Sequence, residues 1–232
     1  MIDLYFFPSP NVLKVLILLE ESGLDYTLKP VNIASGEQFA PSFLAISPNN
    51  KVPAIRDHIP GEPALDLFES GAILEYLADK CGQFLPPSGR ERLLVKQWLY
   101  WQVGGLGPMA GQAHHFRAFA PEQVPYGIAR YTDEVNRLYG VLDKQLQGMD
   151  FVAGDYSIAD MAIWPWIVPY ERQGQDLEDF PNIATWFARV GQRPAVQRAD
   201  ALGHERLLSP EEYTILLNQT SKTASQFNRD QE

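Results

Sequence analysis

The run Ser47-Pro48-Asn49-Asn50-Lys51-Val52-Pro53-Ala54-Ile55 sets the tightest limit on how this chain can fold. Pro48, Asn49 and Asn50 are turn formers, while Ala54 and Ile55 can pair in a sheet. Pro53 stands between the two. Proline donates no ladder hydrogen bond, so it belongs at the first position of a strand or on an edge. An X-Pro bond is also the one common place for a cis peptide. If Val52-Pro53 is cis, the Val52 N–H and C=O face away from their own sheet and can pair with an added extended peptide. If it is trans, the same residues make a solvated turn. The turn alone leaves both readings open.

Phe68-Glu69-Ser70 favours the first of them. Glu69 and Ser70 precede Gly71 to Leu77, an apolar helical pattern, and so stand where a helix should begin. The orphan N–H groups and the positive dipole end of such a helix attract a carboxylate. A strand edge that takes a peptide and a helix start that takes a carboxylate, joined by one short hairpin, form a site for a peptide acid.

The rest of the chain divides by pattern. Ile2 to Phe7 reads as a strand, Val12 to Ser22 as a helix stopped by Gly23, and Tyr26 to Val31 as a second strand. That opening is a βαβ unit of the parallel kind. Asn32 to Pro41, which holds Gln38, is polar and irregular. A strand from Ala54, a short strand over Ala64 to Leu67 and a helix over Gly71 to Cys81 follow. The order βαβ-ββα predicts an α/β thioredoxin-like domain over residues 1–81. Residues 82–90 (GQFLPPSGR) have linker composition.

From residue 91 the periodicity is helical only, which predicts an all-α domain over residues 91–208 and a C-terminal extension over 209–232. Glu91 to Gln102 starts it, and Gly104-Gly105-Leu106-Gly107-Pro108 should bend or interrupt the helix. Val124 to Gln147 is a long amphipathic helix. Ser157 and Asp160 have capping-box spacing ahead of an apolar helix, Met161 to Tyr170, expected at the centre of this half. Ile183 to Arg193 should end at Pro194. Ser209-Pro210-Glu211-Glu212 reads as the cap of a last short helix, and Thr220 to Glu232 as a frayed polar tail.

Charge and cysteine content narrow the function. A net charge of −10 argues against nucleic acid and anionic membrane as main partners. The single cysteine, Cys81, leaves no internal disulfide framework and no cysteine-rich metal site. The four histidines lack ligand spacing, so no metal is expected. No signal peptide and no apolar run of transmembrane length is visible, which points to a cytoplasmic protein. With no Cys-x-x-Cys, a thioredoxin-like fold here has no redox pair of its own.

Ser9 and Asn11 stand where the first strand ends and the first helix begins. A hydroxyl and an amide there can donate to a thiolate and lower its pKa, and Ser9 or Asn11 can equally cap the helix with Pro10 in the first turn. Tyr5 is a rival donor, but it lies inside the apolar strand and reads as core. Cys81 falls at a helix C-terminus, where the dipole disfavours a thiolate, and reads as structural. Arg130 reads either as an anion clamp or as a solvated helix arginine. Trp98, Trp101, Phe116, Trp164 and Trp166 read as core, some of them lining an apolar cleft.

Together the Val-Pro turn, the Glu-Ser pair, the proline linker and an all-helical half with Ser-x-Ala-Asp resemble the cytosolic glutathione transferases, up to His204. Ile2 to Phe6, Ser47 to Ile55, Trp101 to Met109 and His114-His115-Phe116 look like the bacterial Nu class, which is similar to the transferase domain of the yeast prion-type nitrogen regulator. The resemblance implies a glutathione-dependent disulfide-bond reductase with weaker peroxidase and transferase activity, working as a homodimer on small thiol and disulfide substrates. Glutathione is then the co-substrate, two reduced or one oxidised per site. It further implies that Val52, ahead of Pro53, holds the cysteinyl backbone and that Glu69 and Ser70 hold the γ-glutamyl end. Gln38 and Lys51 would hold the glycyl carboxylate, Ser9 and Asn11 the thiol, and Arg130 would reach in from the other subunit. Many members carry Thr where this chain has Ser9, which keeps the hydroxyl. A non-catalytic glutathione-binding or interaction module of the same fold is the alternative.

Overall fold

The structure, a computed structural model, describes residues 1–204. The cap expected at Ser209 to Glu212 and the tail from Thr220 lie outside the described residues. The first half is built on a four-stranded mixed sheet of order β2-β1-β3-β4. Strand β1 (Ile2–Phe6) is central and buries Ile2, Leu4 and Phe6 on one face, with Asp3 and Tyr5 on the other. It pairs in parallel with β2 (Tyr26–Pro30) and antiparallel with β3 (Ala54–Asp57), which pairs antiparallel with β4 (Leu65–Phe68).

Helix α1 (Pro10–Ser22) crosses between β1 and β2. It begins two residues earlier than the apolar pattern suggests, because Ser9 caps it and Pro10 occupies its first turn. It ends at Gly23, whose left-handed φ of 66° closes the C-terminus. The stretch expected to be irregular holds a 3₁₀ turn at Glu37–Phe39 and a short helix, α2 (Pro41–Leu44). Helix α3 (Ser70–Cys81) follows β4 directly.

The second half is helical. Helix α4 (Gly89–Trp101) runs into a π turn at Gln102–Leu106 and on into α5 (Gly107–His114). The glycine-proline run therefore widens the helix instead of interrupting it. Pro108 has no N–H for the carbonyl four residues back, and the wide turn lies just before it. A second π turn spans His115–Phe119. Then come α6 (Pro125–Leu146), α7 (Ile158–Ile167), α8 (Pro181–Gly191) and α9 (Pro194–His204). Helix α8 ends before Pro194, as expected, and Pro194 also starts α9, which the sequence reading did not anticipate. Its missing N–H is one that a first turn leaves unbonded anyway.

Helix α7 is the centre of this half, with every residue from Ile158 to Pro165 buried. Its start carries the expected capping box: the Asp160 carboxylate accepts the Ser157 N–H at 3.1 Å. The same carboxylate also takes the Val152 N–H and the Trp186 indole N–H, each at 2.9 Å. Helix α1 packs on α3, α7 and α9, which bury its middle from Lys14 to Leu19. One apolar cluster runs from Leu4 and Leu16 through Leu74 to Leu99, Ile163 and Trp186. The two halves share it, and their seam is therefore a rigid place for a site. Among the described residues no helix is long and apolar enough to cross a membrane.

Candidate functional site

Three chain segments meet above this seam: the start of α1, the turn before β3 and the start of α3. The Val52-Pro53 bond is cis. The Val52 N–H and C=O take part in none of the hydrogen bonds formed among the described residues. The turn before them is held from within. The Ser47 hydroxyl donates to the Lys51 carbonyl at 2.8 Å, and the Asn50 N–H donates to the Ser47 carbonyl at 2.9 Å.

Glu69 is the residue ahead of α3 and sits at φ 72°, ψ 113°. A non-glycine residue at positive φ costs on the order of 1–3 kcal/mol and persists where its surroundings impose it, often at a ligand clamp. The Glu69 carboxylate is exposed and meets the Asn49 amide at 3.5 Å. Ser70, 8% exposed, opens the helix, so its hydroxyl and the first free N–H groups of α3 share one rim.

A cavity of ≈ 260 Å³ collects Asn11, Lys51, Val52, Pro53, Glu69 and Ser70. A second cavity of ≈ 520 Å³ shares Asn11, Lys51, Glu69 and Ser70 and extends across the seam to Gln102, Gly111 and Trp166. Six of the nine residues expected from the sequence thus surround one cleft.

The other three are not among the residues that line it. Ser9 accepts the Val12 N–H at 3.4 Å as the cap of α1, which leaves its hydroxyl hydrogen available to donate. Gln38, in the 3₁₀ turn, is buried, with its side-chain oxygen unpartnered among the described residues. Arg130 is exposed on α6, where it borders a separate cavity of ≈ 600 Å³ with Met109, Tyr126 and Tyr131. Tyr5 packs its ring against Phe43 at 5.8 Å, and burial raises its phenol pKa. Cys81 lies at the far end of α3 from Ser70, roughly 16 Å along the axis at 1.5 Å per residue. Its thiol faces the Ala78 carbonyl at 3.5 Å.

Two further residues line this cleft: Trp166, which the sequence reading placed only among core or cleft aromatics, and Lys14, to which it gave no role. Trp166, on α7, donates its indole N–H to the Asn11 side-chain oxygen at 3.0 Å. An amide whose oxygen is held has its NH₂ directed the other way, and Asn11 borders both cavities. The amide is thereby aimed as a donor. Lys14, one turn further along α1, is 1% exposed. Its ammonium donates to Gln102 Oε1 at 2.5 Å and to Ser70 Oγ at 3.4 Å. Burial pulls its pKa down to about 7, with the charge of Glu69 opposing that fall. The signal for Lys14 was present in the sequence: it is the one charge in the apolar run Val12 to Leu19.

Chemically, the cleft offers an unpaired backbone at Val52, a carboxylate, a helix start with a hydroxyl, and an amide donor. It can hold a short acidic peptide in extended form and stabilise an anion at the position where Asn11 points.

Known proteins were compared with this chain. The glutathione S-transferase N-terminal domain model matches residues 2–79, and the C-terminal domain model matches residues 108–194. The disulfide-bond oxidoreductase YfcG of Escherichia coli is 54% identical over 213 residues, covering 89% of this chain and 99% of the relative. Two solved structures superpose with a TM-score of 0.81 each. One is a glutathione transferase family member from Pseudomonas fluorescens with two glutathione bound, 45% identical and covering 85% of this chain and 91% of its own. The other is a glutathione transferase from Pseudomonas putida with one glutathione disulfide bound per subunit, 43% identical and covering 85% and 90%.

Proposed function

We propose that this chain, which belongs to the glutathione S-transferase family, is a glutathione-dependent disulfide-bond reductase that works through a thiol it borrows from its ligand. The observation that carries the reading is the Asn11 amide, locked by Trp166 and bordering a cleft that also presents the unpaired Val52 backbone. The chain's own sulfur, Cys81, is at the wrong end of α3.

In this reading glutathione lies extended across the cleft. Its γ-glutamyl carboxylate meets the Ser70 hydroxyl and the N–H groups of α3, and its amine meets Glu69. The cysteinyl N–H and C=O pair with Val52 in the manner of an added strand, and Pro53 fixes that edge. Lys51 and Gln38 receive the glycyl carboxylate. The thiol then rests at the start of α1, where the Asn11 amide, the Ser9 hydroxyl and the helix dipole favour its ionised form.

The thiolate attacks one sulfur of the substrate disulfide. The old S–S bond breaks, a mixed disulfide forms, and the departing thiolate takes a proton from water. A second glutathione thiolate attacks the glutathionyl sulfur, so oxidised glutathione leaves with the second substrate thiol. Two electrons move from two glutathiones to one disulfide. Weak peroxidase and transferase activities use the same thiolate against other electrophiles. Turnover of a small disulfide set beside conjugation of an aryl halide, both with glutathione, tests the assignment. Disulfide reduction should dominate, and binding without either turnover would leave a non-catalytic glutathione-binding module.

The working unit in this reading is a homodimer, with Arg130 of one subunit closing the cleft of the other. Its exposure and its place beside a cavity that shares no lining residue with the cleft support this. Light scattering in solution should return twice the subunit mass. A monomer would overturn the role of Arg130. Residues 1–81 then serve as the glutathione-binding domain, 82–90 as linker, 91–208 as the helical domain and 209–232 as an extension. The cytoplasm, with its pool of reduced glutathione, is the expected location.

A further inference from the structure

Lys14 has no part in the mechanism above, yet it lies directly beneath the helix start that takes the carboxylate. Long charged side chains are almost never fully buried without a charged partner. Lys14 is 1% exposed and its two bonds go to neutral groups, the Ser70 hydroxyl and the Gln102 amide. Those bonds tie α1 to α3 in one half and to the π turn in the other.

The geometry also orients Ser70. A hydroxyl that accepts from an ammonium must point its own hydrogen elsewhere, and Ser70 lines both cavities. The chain Lys14 to Ser70 to cavity is therefore a donor relay whose outer end awaits an acceptor.

Building on the glutathione reading, we propose that Lys14 is the counter-charge of the carboxylate subsite: an anionic group docking on Ser70 draws a proton onto Lys14, so that ligand binding and proton uptake are coupled. The surrounding charges fit this role. Glu69, at the rim, is the carboxylate acting on Lys14, and Lys51 borders the same cavity. Charged groups on the other packed elements have their own partners. On α3, Glu75 pairs with Lys96 and Lys80 with Asp57. On α7, Asp160 is enclosed by its donors. At the far end of α1, Glu20 and Glu21 pair with Arg198 and Arg193 of and before α9. Burial holds the Lys14 pKa down at about 7. A carboxylate docked on Ser70 favours the ammonium and raises it.

The test is calorimetric titration of the whole protein with S-methylglutathione, which has no thiol to ionise, at pH 8 in two buffers of different ionisation enthalpy. Wild type should take up most of one proton per subunit on binding. Its affinity should fall as pH rises above 7, by up to about tenfold per unit. Lys14→Met should bind with little proton uptake and a flatter pH dependence. Lys14→Arg, which stays charged, should bind well with no uptake, an outcome that a purely structural role would not produce. Wild-type binding without proton uptake, or equal uptake in wild type and Lys14→Arg, overturns the inference and leaves the glutathione reading standing. Absence of wild-type binding contradicts the glutathione reading itself, and this inference with it.

Discussion

An Asn11→Ala enzyme should reduce a small disulfide about a hundredfold more slowly than wild type at neutral pH, the scale seen when one preorganised donor to a reacting anion is lost. The change removes the NH₂ proposed to face the thiol and leaves the Trp166 indole N–H without its acceptor. The sign with pH follows from which form the amide stabilises. A donor favours the thiolate, so losing it raises the thiol pKa. The pH–rate midpoint should then move to higher pH, and the gap between the two enzymes should narrow as pH rises. Affinity for S-methylglutathione should change little, because the contacts proposed for its γ-glutamyl end and backbone remain. A slowed enzyme with an unmoved midpoint would assign Asn11 to packing instead.

The largest expected loss of stability lies away from the cleft, at Asp160. Its carboxylate accepts the Val152 and Ser157 N–H groups and the Trp186 indole N–H, all in the buried interior. Asp160→Ala orphans those three donors together. Each buried unsatisfied donor costs about 1–3 kcal/mol, so the variant should lose on the order of 3–5 kcal/mol in urea unfolding. Cleft function should suffer with it. Helix α7, which Asp160 caps, carries Trp166, and Trp166 aims Asn11. A loss below about 1 kcal/mol, the worth of one ordinary surface hydrogen bond, would show that α7 is held by apolar packing alone.

The parts of this fold that could be read from the chain are those with local causes. Pro53 could only begin a strand or lie on an edge, and β3 begins at Ala54 immediately after it. Ser157 and Asp160 satisfy each other three residues apart, so their spacing announced the start of α7. Glu69 and Ser70 are recognisable because a helix start has its own chemistry. Pro194 marked the end of α8 correctly, but the start of α9 at the same residue went unread, because proline is both disfavoured within a helix and favoured in its first turn.

The cleft was legible to the same extent and for the same reason. Asn11 could be proposed as a donor, but what aims it is an indole 155 positions away. Lys14 bonds residues 56 and 88 positions distant, one in each half of the molecule. No periodicity encodes such pairs. A lysine in an apolar run is ordinarily read as a solvated side chain on a helix face. Here α3, α7 and α9 pack around α1 and bury Lys14 with its apolar neighbours, so the charge lies inside.

The central claim is that the reacting sulfur belongs to the ligand. Cys81 is the chain's one thiol, at the C-terminal end of α3 and bonded to the Ala78 carbonyl. The direct test is turnover of a small disulfide by Cys81→Ala, measured with and without glutathione. The account predicts wild-type rates with glutathione and none without it. A Cys81→Ala protein that folds and binds glutathione but no longer turns over would contradict it.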